Sequence, residues 1–137
     1  MVKWVKSLVR ISTYEVETLQ KRLAEIAARR TQAEMRISTL DVEFALETAR
    51  SSDDPMMAAQ MPAYRQGWAL RREQAVSDCA LIAHEEAGIR DELATAFEEL
   101  KKFEHVAEVT RLRRMAAELK RENAALDEAA LRLKRAG

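Results

Sequence analysis

The sequence has little of what interrupts a helix and little of what builds a metal or redox centre. Among its 137 residues are three glycines, two prolines and one cysteine, and aromatic residues make up only 5%. The single cysteine, Cys79, can form no internal disulfide and no cysteine-rich metal cluster, and it is compatible with a reducing cytosol. The low aromatic content argues against a compact domain built around a large core.

The sequence also lacks an excess of one charge and a long apolar run. Lys and Arg number 23, and Asp and Glu number 23, which is a poor electrostatic footprint for a nucleic-acid binder. No apolar run approaches the ~20 residues that span a membrane. The basic stretch from Met1 to Tyr14 has no continuous apolar segment of the kind found in signal peptides. We therefore expect a cytoplasmic protein without a nucleic-acid partner.

Residue patterns that belong to catalytic sites are missing as well. The sequence contains neither a GxGxxG pattern nor a P-loop, so no nucleotide site is indicated. His84 is followed by Glu85 and Glu86, but a second histidine at the helical offset of a zinc motif is absent. We predict no catalytic residue, no cofactor and no metal site, and we interpret Glu85 and Glu86 as a solvated acidic face.

What the sequence does contain is the pattern of a coiled coil. Charged residues are 34% of the chain, and apolar residues recur at alternating three- and four-residue spacings from Val2 to Phe44. We predict an all-α fold, an elongated two-helix antiparallel coiled coil that forms a single domain over residues 1–137. The first helix is expected at residues 3–50, the tip at residues 51–62, and the second, longer helix at residues 63–135.

Folding the chain back near residue 57 fixes which residues of the two helices face each other. Phe44 is expected opposite Trp68, and Val2 opposite Arg111. Arg30 lies on the seam of the first helix, where we interpret it as a device that fixes the register. The seam of the second helix slips in phase between Phe103 and Leu112, through Val106 and Val109. The last ~25 residues are left without a facing helix and extend about 40 Å.

This overhang carries an apolar stripe that we call the terminal stripe. Its members are Leu112, Met115, Leu119, Glu122, Leu126, Ala129 and Leu133. Burying one of its large side chains would contribute about 1.5–3 kcal/mol, so we interpret the stripe as a partner-binding surface. The alternative is self-association of two overhangs. A cluster of cations is expected at the same pole: Lys3, Lys6, Arg10, Arg111, Arg113 and Arg114. A third interpretation, a basic helix that binds nucleic acid, is disfavoured by the zero net charge.

A second candidate surface lies at the start of the second helix. Tyr64 and Trp68 are four residues apart, next to Arg71 and Arg72, and these residue types often anchor interfaces. The alternative for Trp68 is that it caps the seam beside Phe44, and the two roles are compatible.

The chain resembles the FliJ family of bacterial flagellar type III export proteins. The resemblance rests on an opening Leu8-Val9-Arg10, Glu15-Val16-Glu17 and Lys21-Arg22-Leu23-Ala24, a short polar tip, Tyr64 with Trp68, and a tail Lys120-Arg121-Glu122 with Leu126-Asp127-Glu128-Ala129. It extends over essentially the whole chain.

The resemblance implies a coiled coil like the central stalk of rotary ATPases. Such a protein is not an enzyme. Its joined ends insert into a hexameric flagellar export ATPase, promote ring assembly, and link the ring to the export gate membrane protein and the export chaperones. It is peripheral to the inner face of the membrane through these partners. On this hypothesis the ATPase contacts are Leu112, Met115, Leu119, Leu126 and Leu133 with the six cations named above. The gate contacts are Tyr64, Trp68, Arg71 and Arg72. The alternative is a self-associating structural coiled coil.

Overall fold

Two helices account for nearly all of the chain in the computed structural model, which describes residues 2–136 and the side chains of residues 3–136. Helix α1 spans Val2–Ser51 and helix α2 spans Pro55–Ala136. No strand occurs within residues 2–136. The predicted all-α fold, with two antiparallel helices and a longer second one, is confirmed. The seam position predicted for the Val2 side chain lies outside the described side chains.

The turn between the helices is shorter than the predicted tip. The backbone N–H of Met56 donates to Asp54 Oδ1 at 3.0 Å, and the N–H of Ala58 donates to the Asp54 carbonyl at 2.9 Å. Asp54 therefore caps α2, and Pro55 takes the first helical position, where its missing N–H costs nothing. The predicted start at residue 63 was wrong because the first proline, not the second, opens the helix.

Pro62 consequently lies inside α2. It has no N–H to offer the carbonyl four residues earlier, a defect that normally bends or ends a helix. Strong helix formers precede it from Met56 to Gln60, and the cap at Asp54 has already started the helix. The sequence from residue 55 to residue 61, predicted to be part of the tip, is therefore helical.

Contacts divide the chain into two compact units, each built from parts of both helices. The prediction of one domain over residues 1–137 stays a prediction. In the unit Glu17–Ala94, the side chains of Leu19, Ile26 and Leu40 on α1 are buried, as are those of Ala75 and Ile89 on α2.

Ion pairs and ring contacts in this unit show the predicted register. Arg22 Nη1 lies 3.8 Å from Glu92 Oε2, and Arg29 Nη1 lies 3.5 Å from Glu85 Oε2. The rings of Phe44 and Trp68 stack with their centroids 4.3 Å apart. The exposed ion pairs add little stability because water screens them, so the register depends chiefly on the apolar seam.

Glu86 is the exception to the predicted solvated acidic face. It is only 3% exposed and occupies the seam position between Ile82 and Ile89. Its Oε2 lies 3.0 Å from Arg30 Nε, and its Oε1 lies 2.9 Å from Arg90 Nη2. Neither Arg30 Nε nor Glu86 Oε2 forms an aligned hydrogen bond. The prediction for Glu86 was wrong because a seam arginine on α1 supplies the charge that allows a carboxylate to be buried.

The other unit contains Met1–Val16 and Thr95–Gly137. Val5, Ser12 and Val16 of α1 are buried in it, with Ala96 and Leu100 of α2. After Phe103 the half-buried side of α2 continues through Ala107 and Thr110, whereas Val106 is 42% exposed. The predicted seam position at Val106 was therefore wrong, because the regular spacing places the small side chain of Ala107 toward α1 instead. Val109, the other valine of the predicted phase slip, is half-buried.

Candidate functional site

Every residue of α2 from Arg111 to Ala136 is exposed. The large members of the terminal stripe range from 51% exposed at Leu112 to 76% exposed at Leu133. These side chains meet no facing helix among the described residues, because α1 begins at Val2 and its first buried seam residue, Val5, packs beside Ala107 and Arg111. The predicted overhang is present, and it is helical throughout.

The terminal stripe does not continue the seam that faces α1. Successive residues of an α-helix turn by about 100°, and on that basis the stripe is rotated by roughly 120° from the side that carries Phe103, Ala107 and Thr110. A partner on the stripe would thus approach α2 from a side that α1 leaves open.

The overhang is stabilised along its own length rather than by packing. Arg132 Nη2 lies 3.1 Å from Glu128 Oε1, and Arg114 Nε lies 4.0 Å from Glu118 Oε1, both at a spacing of four residues. Pairs of this kind each stabilise an isolated helix by about 0.2–0.5 kcal/mol. Alanine, leucine, arginine and glutamate, which dominate this stretch, add favourable helix propensity. The helix can therefore remain folded while its stripe is exposed.

A groove of about 390 Å³ lies where α1 begins. Its floor includes Val5, Val9 and Ala107, and its rim carries three of the six predicted cations, Lys6, Arg111 and Arg114, with Glu104 and Glu108. Lys3, Arg10 and Arg113 are exposed but do not line it. The structure thus gathers half of the predicted cations at one groove.

Arg111 is held along its own helix. Its Nη2 and Nε lie 2.7 and 3.0 Å from the two carboxylate oxygens of Glu108, and its Nη1 lies 3.0 Å from Met115 Sδ. The hydrogen bonds from Arg111 lower the pKa of the Glu108 carboxyl, and the same pair raises the pKa of Arg111. Lys3, Lys6, Arg10 and Arg113 form no ion pair within residues 2–136, so they are the cations at this pole that a partner could engage.

The second predicted surface is largely used for packing between the helices. Trp68 stacks on Phe44, and its indole N–H donates to the Leu40 carbonyl at 2.7 Å. Arg72 forms a two-point pair with Asp41, at 2.7 and 3.2 Å, which lowers the pKa of Asp41. The predicted alternative for Trp68, that it caps the seam beside Phe44, is what the structure shows.

Comparison with known proteins identifies the relatives of this chain. The flagellar FliJ protein from each of two strains of Caulobacter vibrioides is 50% identical to it over 112 residues, which are 82% of this chain and 81% of the relative. The chain belongs to the flagellar FliJ family. No family model matches the sequence, and no solved structure does.

The remaining candidates in this FliJ-family chain are few. Arg71 is exposed on α2, beside Leu70, which is also exposed and which the sequence interpretation passed over. Leu70 could have been identified from the sequence as a large apolar residue on the side of α2 opposite the seam. Tyr64 is half-buried, and the centroid of its ring lies 6.3 Å from the centroid of the Phe44 ring. Of the four predicted gate residues, Arg71 therefore offers the most accessible side chain.

The FliJ-family chain shows no arrangement for metal chemistry in the part that the structure describes. No group of three His, Cys, Asp or Glu side chains lies close enough there to hold a metal ion. Within the same residues, neither helix has a stretch apolar and long enough to cross a bilayer. The exposed surfaces described above are therefore the candidate functional sites.

Proposed function

We propose that this FliJ-family protein acts in the flagellar type III export apparatus as the central-stalk-like coiled coil of the hexameric export ATPase. The overhang of α2 and the six cations Lys3, Lys6, Arg10, Arg111, Arg113 and Arg114 contact the ATPase ring and promote its assembly. The same protein couples the ring to the export gate membrane protein and to export chaperones, and it catalyses no reaction itself. It works in the cytoplasm, held at the inner face of the membrane by its protein partners.

The observation that carries this proposal is the exposed terminal stripe on an unbroken helix. Five large apolar side chains there are more than half exposed, and each would contribute about 1.5–3 kcal/mol on full burial. Contiguous exposed apolar surface of this kind is typical of protein interfaces. An overhanging helix is also the part of a two-helix coil that can enter a ring.

Charge supports a partner with an acidic surface. Lys and Arg outnumber Asp and Glu along α2 from Arg111 to Arg135, and Lys3, Lys6 and Arg10 add cations at the start of α1. Complementary charges would speed the encounter and orient the two surfaces. Because Arg113 and Arg114 lie between Leu112 and Met115 of the stripe, the interface would combine a hydrophobic centre with a charged rim, as stable protein interfaces commonly do.

Truncation after Arg111 tests the proposal directly. The paired helices keep their buried seam in this variant, since Val5, Val16, Ala96 and Leu100 all remain. We expect the truncated protein to stay folded by circular dichroism and to lose binding to the export ATPase in a pull-down, with loss of ATPase stimulation. Undiminished binding and stimulation would contradict the proposal.

A pair of matched double variants separates the stripe from the helix. Leu119→Ser with Leu126→Ser should weaken binding to the ATPase, because both changed residues lie on the stripe. Ala117→Ser with Ala124→Ser changes exposed residues off the stripe in the same two turns and should bind like wild type. Equal binding by both variants would exclude the stripe as the contact.

Docking to the export gate is tested at Arg71 rather than at Trp68, because Trp68 stabilises the coil. Arg71→Glu should reduce motility and gate-protein binding while leaving thermal unfolding unchanged. A variant that swims and binds like wild type would remove Arg71 from the proposed contact.

A further inference from the structure

The terminal stripe contains one acid. Glu122 lies between Leu119 and Leu126 at the centre of the stripe, where the three- and four-residue spacing calls for an apolar side chain. No Lys or Arg occurs at any position of the stripe. A partner that covers the stripe must therefore also cover this carboxylate.

Glu122 has no cation within reach on its own helix. The residues three and four positions away are Glu118, Leu119, Ala125 and Leu126, and side chains on a helix meet at those spacings. Glu118 and Glu128 of the overhang differ in this respect, because Glu118 is paired with Arg114 and Glu128 with Arg132. Within residues 2–136, Glu122 takes part in no ion pair.

The paired part of the same helix shows what a seam carboxylate requires. Glu86 also lies on a seam, and it is buried with Arg30 of the facing helix 3.0 Å away. A carboxylate taken out of water without such a partner costs several kcal/mol. The cation at Glu86 comes from the seam of the opposite helix, in addition to Arg90 on its own helix.

A second copy matched over the whole stripe does not place a cation opposite Glu122. In a parallel pair of overhangs Glu122 would face the Glu122 of the other copy, and like charges would share the seam. In an antiparallel pair matched over the whole stripe it would face Leu119 or Leu126, with Glu118, Asn123 or Ala125 at the edges. Either arrangement buries the carboxylate without a cation.

From this geometry we propose that Glu122 determines what covers the terminal stripe. It admits a partner that presents an arginine or lysine at the facing position, and it disfavours a second copy of this chain. The inference rests on the proposed function in one respect only, the choice of the ATPase ring as the partner to be measured.

Asp127 is the matched control. It is an exposed acid five residues from Glu122, and it lies off the stripe. The residues three and four positions from it are Asn123, Ala124, Ala130 and Leu131, none of them cationic. A change at Asp127 therefore alters the same charge in the same helix without altering the stripe.

The first experiment measures self-association by sedimentation equilibrium and needs no ATPase. We expect Glu122→Leu, which completes the apolar stripe, to form dimers or larger species at concentrations where wild type and Asp127→Leu are monomeric. Glu122→Leu that stays monomeric alongside the control would overturn the proposal. So would a wild-type dimer that dissociates on truncation after Arg111.

The second experiment measures affinity for the purified hexameric export ATPase. Replacing one partner of a desolvated charge pair costs at least about 2 kcal/mol, or about thirtyfold in Kd, so Glu122→Lys should bind at least that much more weakly. Asp127→Lys should bind within about twofold of wild type or more tightly. Equal affinity of the two lysine variants would overturn the proposal. Failure of wild type to bind the ring would contradict the proposed function instead, and the sedimentation comparison would then decide the role of Glu122.

Discussion

One helix, α2, contains two regions with similar seams and opposite surroundings. Between Trp68 and Leu100 the apolar side chains of its seam are buried or half-buried against α1, and its one seam acid, Glu86, has Arg30 across from it. From Leu112 onward the apolar side chains are exposed, and the acid of the stripe, Glu122, forms no ion pair within residues 2–136.

This difference indicates that the second region has the composition of an interface but no facing helix within residues 2–136. Apolar spacing alone would serve equally well for a partner and for a second copy. The acid separates the two cases, because a buried carboxylate needs a cation from outside the stripe. The paired region therefore serves as an internal reference for what the exposed region lacks.

The largest expected effect on stability comes from removing the cation of the reference pair. Arg30→Ala leaves the Glu86 carboxylate buried with only Arg90 beside it, and we expect a loss of about 2–3 kcal/mol in the free energy of unfolding, measured by urea denaturation. Arg30→Leu combined with Glu86→Leu makes the seam apolar and should restore stability to within about 1 kcal/mol of wild type. An Arg30→Ala protein as stable as wild type would show that Glu86 does not depend on the pair.

A leucine in each region gives the next largest contrast. Leu100 is 7% exposed and Leu126 is 67% exposed. Leu100→Ala should destabilise the protein by about 2 kcal/mol, since a two-helix seam lies at the lower end of core substitutions. Leu126→Ala should change stability by less than about 0.5 kcal/mol while weakening the ATPase interaction. Similar losses for both variants would mean that the overhang is packed in solution.

The smallest effect concerns the exposed pair of Arg72 and Asp41 in the covered region. The hydrogen bond from Arg72 lowers the pKa of Asp41 below its ordinary value of 3.8. A lowered carboxyl pKa contributes stability that is present above the unfolded value and is lost as the pH falls through the folded value. The urea midpoint of wild type should therefore exceed that of Asp41→Asn at neutral pH, and the two should converge in acid.

Arg72→Gln is the control for this pH dependence. Removing the guanidinium removes the cause of the lowered pKa, so Asp41→Asn should have little further effect in that background at any pH. A pH-dependent difference that persists without Arg72 would assign it to another group.

The spacing of apolar residues predicted both helices and their register because a 3.5-residue repeat fixes which side of each helix is buried. Phe44 and Trp68 meet as predicted for that reason. The start of α2 was missed because two prolines, Pro55 and Pro62, are each compatible with a helix start. The hydrogen bonds that Asp54 accepts start the helix at Pro55.

Two other differences between prediction and structure arise from contacts between the two helices. Glutamate is usually a surface residue, and Arg30 on the other helix supplies a charge across the seam that the spacing within α2 does not show. Beyond Phe103 the sequence predicted a seam spaced by three residues through Val106 and Val109, of which Val106 is exposed and Val109 is half-buried. The structure continues the regular spacing toward α1 instead. The terminal stripe was predictable because it depends only on the spacing of residues within one helix.

The central claim is that the terminal stripe binds a different protein and not a second copy of this chain. Sedimentation equilibrium of the wild-type chain, across concentrations and alongside the chain truncated after Arg111, tests it most directly. We predict a monomer for both proteins. A tight wild-type dimer that becomes monomeric on truncation would contradict it and would establish the chain as a self-associating coiled coil.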